Sequence, residues 1–589
     1  MLKRVFTPDT APRATLWYLV LAVVMTWPVA RHLATAIPDN LGDPLLNAWI
    51  LGWDASRLLR LLHGDVAALA GFWNANIFYP EPLTLAYSEH LFAQAVQILP
   101  VYALTGNLIL CYNLLFLSTF VLSALGMFLL TRELTGNGRA AFVAGLLFGF
   151  ALFRAQHLGH LQILSSQWMP FALFGLRRYF ITRRWPALAG AMAALVAQNL
   201  SCGYYLVFFA PFVAGYVLYE MVSRHLLRDR RAWLSLLVAG AVVVGLTAPF
   251  LAPYAALRAS GPAWRSVEEV DSFSADLASY VTAFPRLRFW GPRLQAAPSD
   301  EASLFPGLVP LALALAGIGW TAWRRWKRAP AGGQTGVSPG PLAGFSLVAM
   351  AVALWLSFGR SIRLLGRPVT GLTIYDWLYR YVPGFDGLRV SARFGMIAML
   401  FAAILAGIAL EAIARRGRFG RGLVLALGVV FLAEAAFAPV DVRAVWPGAD
   451  ATLPGALGPG APRMYAFVRT LPPNAVLAEF PFGQPGMETL FIYASTLHWR
   501  ALVNGYSGRF PDSYRRTYRS LGRPLDDPAR ACRTLQSSGA THAIIHGSLF
   551  RDDAGQAFSA WLRGCGAQEI VHWDTERIFA IPTKGVGSN

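Results

Sequence analysis

The sequence predicts an α-helical polytopic membrane protein of roughly eleven spans with a C-terminal extracytoplasmic α/β domain. Three observations predict it. The 589 residues are 55% hydrophobic and only 14% charged, with a mean hydropathy of +0.45, whereas a soluble domain is nearer one quarter charged. The apolar residues gather in runs of about twenty, the length a helix needs to cross a bilayer. From about residue 461 those runs stop, and short strand and helix patterns alternate.

The expected spans are 15–35, 107–131, 138–153, 161–181, 186–200, 203–222, 232–255, 304–323, 342–358, 394–413 and 421–439. The segment 91–105 is a shorter apolar helix, re-entrant or lying at the interface. No cleavage pattern stands out after the short basic start, so the first span reads as a retained signal anchor. The net charge of +19 could suggest nucleic acid. The basic residues instead fall in short clusters between apolar runs, as the arginines that orient a membrane protein do, and no nucleic-acid partner is expected. Clusters around Arg4, Arg132, Arg178, Arg230, Arg325 and Arg416 recur at every second connection. That places the N-terminus in the cytoplasm and exports the loops 36–106, 256–303 and 359–393, together with the chain from about 440. The exported loop 359–393 is itself basic, with Arg360, Arg363, Arg367, Arg380, Arg389 and Arg393; long loops follow the charge rule weakly.

The chain therefore divides into a membrane domain, 1–440, and a soluble domain, 461–589. The stretch 329–341 is a Gly/Pro/Ser linker. In the tail, strands are expected at 476–481, 501–506, 542–546, 568–573 and 578–581, and helices at 462–470, 487–497, 528–538 and 554–563. Four cysteines exclude a disulfide-dense or zinc-ribbon protein. Cys532 and Cys565 share the soluble compartment, as a disulfide or as two thiols. Cys111 and Cys202 sit in or beside spans as small packing residues.

The first exported loop carries the strongest chemistry. Gly42-Asp43-Pro44 opens an amphipathic helix in which Leu45, Trp49, Ile50 and Trp53 are apolar at helical spacing, as in a helix lying in the membrane interface. Asp43 stands at the start of that helix, where the dipole favours its ionised form. Asp39, Glu81, Glu89 and His90 add further groups able to move protons or bind a metal. The plainer reading makes Asp43 an N-cap before Pro44, and Glu89-His90 an ordinary polar turn.

The N-terminal two-thirds resembles the GT-C superfamily of membrane glycosyltransferases, which includes protein O-mannosyltransferases, oligosaccharyltransferases and bacterial aminoarabinose transferases. The resemblance rests on the cytoplasmic N-terminus, the long first exported loop, GDPLLNAW soon after the first span, and the many-span body. FYPEPLTLAYSEH, LRVSARF before a span, and ETLFIYASTLHWRALVNGYSG in the tail resemble a bacterial subset of that superfamily. Many members carry two adjacent acidic residues where this chain has Asp43 followed by Pro44. The resemblance implies transfer of a sugar from a polyprenyl-phosphate donor to a glycan, lipid or protein acceptor of the cell envelope, at the outer face and with inversion. Asp43, with Glu89 and His90 beside it, would be the catalytic group. No cofactor is certain, and a divalent metal is compatible.

Such a reaction needs a base for the acceptor proton and cations for the departing phosphate. Arg389 and Arg393, just before the span 394–413, suit the phosphate through their forked donors; the alternative is arginine snorkelling at a helix end. Glu434, inside the last span, needs a partner, and Arg393 is the one expected. Arg154, His157, His160 and Gln162 fall between spans. His157 and His160 have i, i+3 spacing but no third metal ligand near in sequence. Tyr204 and Tyr205, beside Asn199 and Ser201, and Glu301 are candidates to line the sugar pocket. In the tail, Glu479, Glu488, His498 and Arg500 read as surface or domain-interface residues. Two other functions fit the composition: a transporter or flippase of lipid-linked glycans, and a glycan-binding scaffold without catalysis. A transporter should carry charged groups near mid-membrane and repeated broken helices; here the carboxylates concentrate in the exported loops.

Overall fold

The computed structural model describes residues 7–259, 261, 265–296, 301, 303–327, 340–371, 373–448, 451–454, 457, 459–550 and 553–582. Helices lie over every segment expected to span. Among the described residues, five helices are long and apolar enough to cross a membrane: Leu108–Thr135, Gly138–His157, Gly203–Ser223, Arg230–Ala259 and Ser391–Ala414. Four more are apolar but shorter, among them Ala11–Met25 and Phe92–Thr105. The first helix stops well before residue 35. Pro28 cannot continue it, and the chain turns into a short 3-10 segment, Val29–His32. The chain is a multi-pass membrane protein, mostly helical.

The fold separates into two compact units that do not follow chain order. The first comprises residues 1–27 and 116–439. Its centre is Phe394–Ala414, buried along most of its length and packed against Leu308–Lys327, Gly340–Ser357, Gly138–Gly149 and Gly417–Glu434. Close approach depends on glycine. A Cβ on Gly317 would stand 2.1 Å from the Leu405 carbonyl oxygen, and one on Gly407 would stand 2.6 Å from the Thr131 methyl. Small residues at such crossings let membrane helices meet backbone to backbone. By contrast, Arg230–Ala259 buries only 11% of its apolar window, as a helix surrounded by lipid would.

The second unit joins residues 28–115 to residues 440–589. Its frame is a five-stranded mixed sheet in the order Ala501–Leu502, Val476–Phe480, His542–His546, Glu576–Ala580, Gln568–Trp573. The first three strands run parallel and the last two pairings are antiparallel. Val476–Phe480 is buried throughout, as a central strand between parallel neighbours should be. Helices Ala461–Val468, Pro485–Ala494, Asp512–Leu521, Pro528–Ser537 and Ala554–Gly564 connect the strands. Cys532 and Cys565 are joined as a disulfide with Cα atoms 5.4 Å apart, and Cys111 and Cys202 are buried and outside that disulfide.

The first loop is woven into this unit by backbone hydrogen bonds. Ala36–Pro38 pairs antiparallel with Val442–Gly448. The Leu502 N–H donates to the Asn76 carbonyl, Tyr79 N–H to Leu502 and Phe78 N–H to Asn504, all at 2.8–2.9 Å. The Asn76 side chain accepts from the Trp49 indole at 3.2 Å and donates to Ser495 and to the Arg500 carbonyl. Helix Asp43–Leu62 packs on helix Pro485–Ala494. Leu45, Trp49, Ile50 and Trp53, apolar at helical spacing, are all buried.

Candidate functional site

In the first unit, residues far apart in sequence meet around Arg393. Its Nε and Nη2 donate to the two oxygens of Glu301 at 2.9 and 2.8 Å, a forked pair that is almost entirely buried. The guanidinium lies over the Tyr204 ring, 4.3 Å from its centre. His157 and His160 also act electrostatically on Glu301; their Nδ1 atoms are 3.2 Å apart. Burial by itself would raise the Glu301 carboxyl. Arg393 first, and then the two histidines, outweigh it and hold the pKa near 2. Glu301 has a positive φ of 58°, a conformation uncommon for this residue type. Five residues marked out in the sequence (His157, His160, Tyr204, Glu301 and Arg393) are thus brought together.

The other candidates in this unit stand apart from that pair or are tied elsewhere. Arg389 donates to Glu269 at 3.2 Å and covers the Phe273 ring. Arg154 is fully buried; it reaches Thr119 at 2.9 Å, Ser166 at 3.1 Å and Ser123 at 3.4 Å, and stacks over Phe120. Tyr205 donates to the Ile163 carbonyl at 3.0 Å. Glu434 does not pair with Arg393. Its carboxylate accepts the N–H groups of Leu308 and Val309 at 3.2 and 3.1 Å, at the start of helix Leu308–Lys327. A helix N-terminus offers unpaired donors and a positive dipole end, and it satisfies the glutamate locally.

In the second unit, Asp43 is not the N-cap. Gly42 occupies that position, and Asp43 is the first residue of helix Asp43–Leu62, with Pro44 behind it. Its Oδ1 accepts from the Tyr506 hydroxyl at 3.4 Å. Tyr506 follows a tightly held segment. Glu488, fully buried, accepts from Gly483 N at 2.5 Å, Asn504 Nδ2 at 3.0 Å and Gly505 N at 2.8 Å. Burial dominates these bonds and pushes its pKa up to about 8. Asn504 also exchanges two hydrogen bonds with the Glu479 backbone. Glu89 is half-buried. His90 is buried, accepts the Phe92 N–H on Nδ1 at 3.2 Å, and is held neutral, its pKa lowered to about 4 by burial.

Three features of this unit lie outside the sequence-derived set. Tyr506 falls within the tail motif NGYSG, which carried the only signal for it. Asp54, eleven residues along the helix from Asp43, is fully buried with neither carboxylate oxygen hydrogen-bonded, and burial raises its pKa well above the usual range. His546 lies between two glutamates, Nε2 at 2.7 Å from Glu479 and Nδ1 at 2.6 Å from Glu576, with none of the three exposed. Those carboxylates overcome burial and raise its pKa to about 9. Among the described residues, no group of three or more His, Cys, Asp or Glu side chains is placed to hold a metal ion.

No family profile matches the chain, and no curated protein matches it. Solved structures do. The mycobacterial arabinofuranosyltransferase AftD aligns over 98% of this chain at 15% identity with a TM-score of 0.57, and its R1389S mutant does so at 14% identity and 0.54. The chain spans 40% of the length of AftD. ArnT from Cupriavidus metallidurans, bound to undecaprenyl phosphate, aligns over 98% of this chain at 15% identity with a TM-score of 0.44. The fold of this chain is that of the AftD region with which it aligns.

Proposed function

We propose that this protein is an inverting membrane glycosyltransferase that moves a sugar from a polyprenyl-phosphate donor to a cell-envelope acceptor at the extracytoplasmic face of the inner membrane. The observation that carries the reading is the fold shared with an arabinofuranosyltransferase over 98% of this chain. The placement of Asp43 supports it: a carboxylate in the first turn of a helix that follows the first apolar helix, oriented by the Tyr506 hydroxyl. Asp43 takes the proton of the acceptor hydroxyl as its oxygen attacks the anomeric carbon. The bond from that carbon to the phosphate oxygen breaks, and the phosphate leaves with the electron pair. Arg393 is assigned to the phosphate. Glu301 fixes its Nε and Nη2, which leaves Nη1 as the donor for a ligand. The two assignments rest on separate units.

Asp43→Asn keeps the side-chain shape and removes the base. Because Gly42 is the N-cap, the substitution leaves the helix start intact. Transfer to the acceptor should fall by about two orders of magnitude, with folding unchanged. The reading fails if purified Asp43→Asn protein transfers sugar at the wild-type rate.

A further inference from the structure

The segment between helices Gly340–Ser357 and Phe394–Ala414 lies outside both helices, yet it turns apolar side chains outward. A hairpin pairs Ile362–Leu364 with Arg367–Thr370. Its tip, Leu365 and Gly366, has positive φ at both residues, and the two N–H groups donate to the two oxygens of the buried Asp276 at 3.0 and 2.8 Å. Arg363 is tied to Asp271 at 2.6 Å. The hairpin is therefore fixed in place, and what it displays is built in. It displays Leu364, Leu365 and Val369, the last two 61% and 62% exposed.

The helix that follows, Ile374–Tyr381, is capped by the Thr373 hydroxyl and buries Tyr375. Its exposed residues include Ile374, Trp377 at 57% and Tyr381 at 68%. These stand at i, i+3 and i+7, one stripe of the helix. A helix of a soluble protein turns such a stripe inward. The basic character of the loop resolves at the same time. Arg360, Arg363, Arg380, Arg389 and Arg393 each pair with a carboxylate, while Arg367 stands exposed on the apolar hairpin.

We propose that hairpin 362–370 and helix Ile374–Tyr381 form a membrane-contact surface, seated in the headgroup layer of the leaflet at this end of the two helices, with Arg367 on the lipid phosphates. Three observations favour lipid over a protein partner. The segment runs at both ends into apolar helices, one of them a full span. Its exposed aromatics are Trp and Tyr, the residues of the membrane interface. Its unburied cation suits an anionic headgroup.

The test uses the whole protein in nanodiscs, with cysteine introduced at Leu365 or at Trp377 and labelled with an environment-sensitive dye. Native thiols do not compete, because Cys111 and Cys202 are buried and Cys532 is bonded to Cys565. Arg516, exposed on helix Asp512–Leu521, serves as the control position. The expected result is blue-shifted emission at 365 and 377, strong quenching by lipids spin-labelled near the headgroup, and protection from aqueous iodide. Adding anionic lipid should deepen the protection, and Arg367→Gln should remove that increment. Iodide quenching equal to that of the control overturns the proposal. So does protection from both quenchers, which, with crosslinking between Leu365→Cys copies, would instead identify a protein–protein face.

Discussion

Glu301→Gln removes the charge beneath Arg393 while keeping the side-chain shape. The Arg393 side chain is 6% exposed and that of Glu301 is 12%. A buried pair that loses one partner costs about 3–5 kcal/mol, because the remaining charge is stranded. The proton affinity of Glu301 supplies a second figure. Its folded pKa of about 2, against an ordinary 4.5, corresponds to about 3 kcal/mol of stabilisation by its surroundings. The sign follows from the depression: the contribution is present above about pH 4.5 and is lost as pH falls through about 2. The assay is thermal unfolding in detergent micelles across that range. Glu301→Gln should melt below wild type at pH 7, and the gap should close progressively between pH 4.5 and 2 as wild-type Glu301 takes up its proton. An absent gap at pH 7, or one that stays constant down to pH 2, refutes the reasoning.

Three further perturbations test the second unit. Gly505→Ala would set a Cβ 2.5 Å from the buried Phe78 ring; overpacking of this kind costs about 1–3 kcal/mol, read as faster hydrogen exchange at the Phe78 and Tyr79 amides, and unchanged exchange would show that the ring yields freely. His546, raised to about 9 by its two glutamates, contributes stability that is complete below about pH 6.5 and is lost as pH rises through about 9. Limited proteolysis of the tail should therefore accelerate on alkalinisation in wild type, and His546→Gln should flatten that dependence; a parallel profile in both proteins counts against a charged His546. Asp54→Leu replaces a buried carboxyl that has no hydrogen-bond partner and should raise stability by about 1–3 kcal/mol; a fall would mean that Asp54 serves a ligand or a proton.

What was legible in the sequence was periodic. The spacing of Leu45, Trp49, Ile50 and Trp53 marks helix Asp43–Leu62 because one face of it is packed. Strands His542–His546 and Gln568–Trp573 show as β-rich runs between turn residues. Helix Asp512–Leu521 escapes because only Tyr514, Ser520 and Leu521 of DSYRRTYRSL are buried, too few to set a visible period. Pairings across long separations are not written locally. Arg393 meets Glu301 across 92 residues and Asp43 meets Tyr506 across 463. Glu434 reads as the partner of Arg393 in the sequence, and only the backbone donors of Leu308 and Val309, invisible as sequence, decide that it is already satisfied. Glu488 reads as a surface or domain-interface residue for the same reason: the three donors of these bonds belong to segments that fold around it.

The weaving of residues 28–115 into residues 440–589 sets an order of events at the ribosome. The first loop emerges early, and the whole of the other unit is synthesised before Leu502 and Asn504 arrive to receive it. At about 5–20 residues per second that wait lasts tens of seconds. Through it, the backbone donors of Phe78 and Tyr79 and the carbonyl of Asn76 have no segment to pair with, and helix Asp43–Leu62 lacks the helix Pro485–Ala494 on which it packs. A chain interrupted before residue 502 would present an unfinished, sticky loop to quality control instead of an ordered Asp43. The segment bearing the proposed base is therefore organised only once residues 502–504 have been made, more than four hundred residues after it.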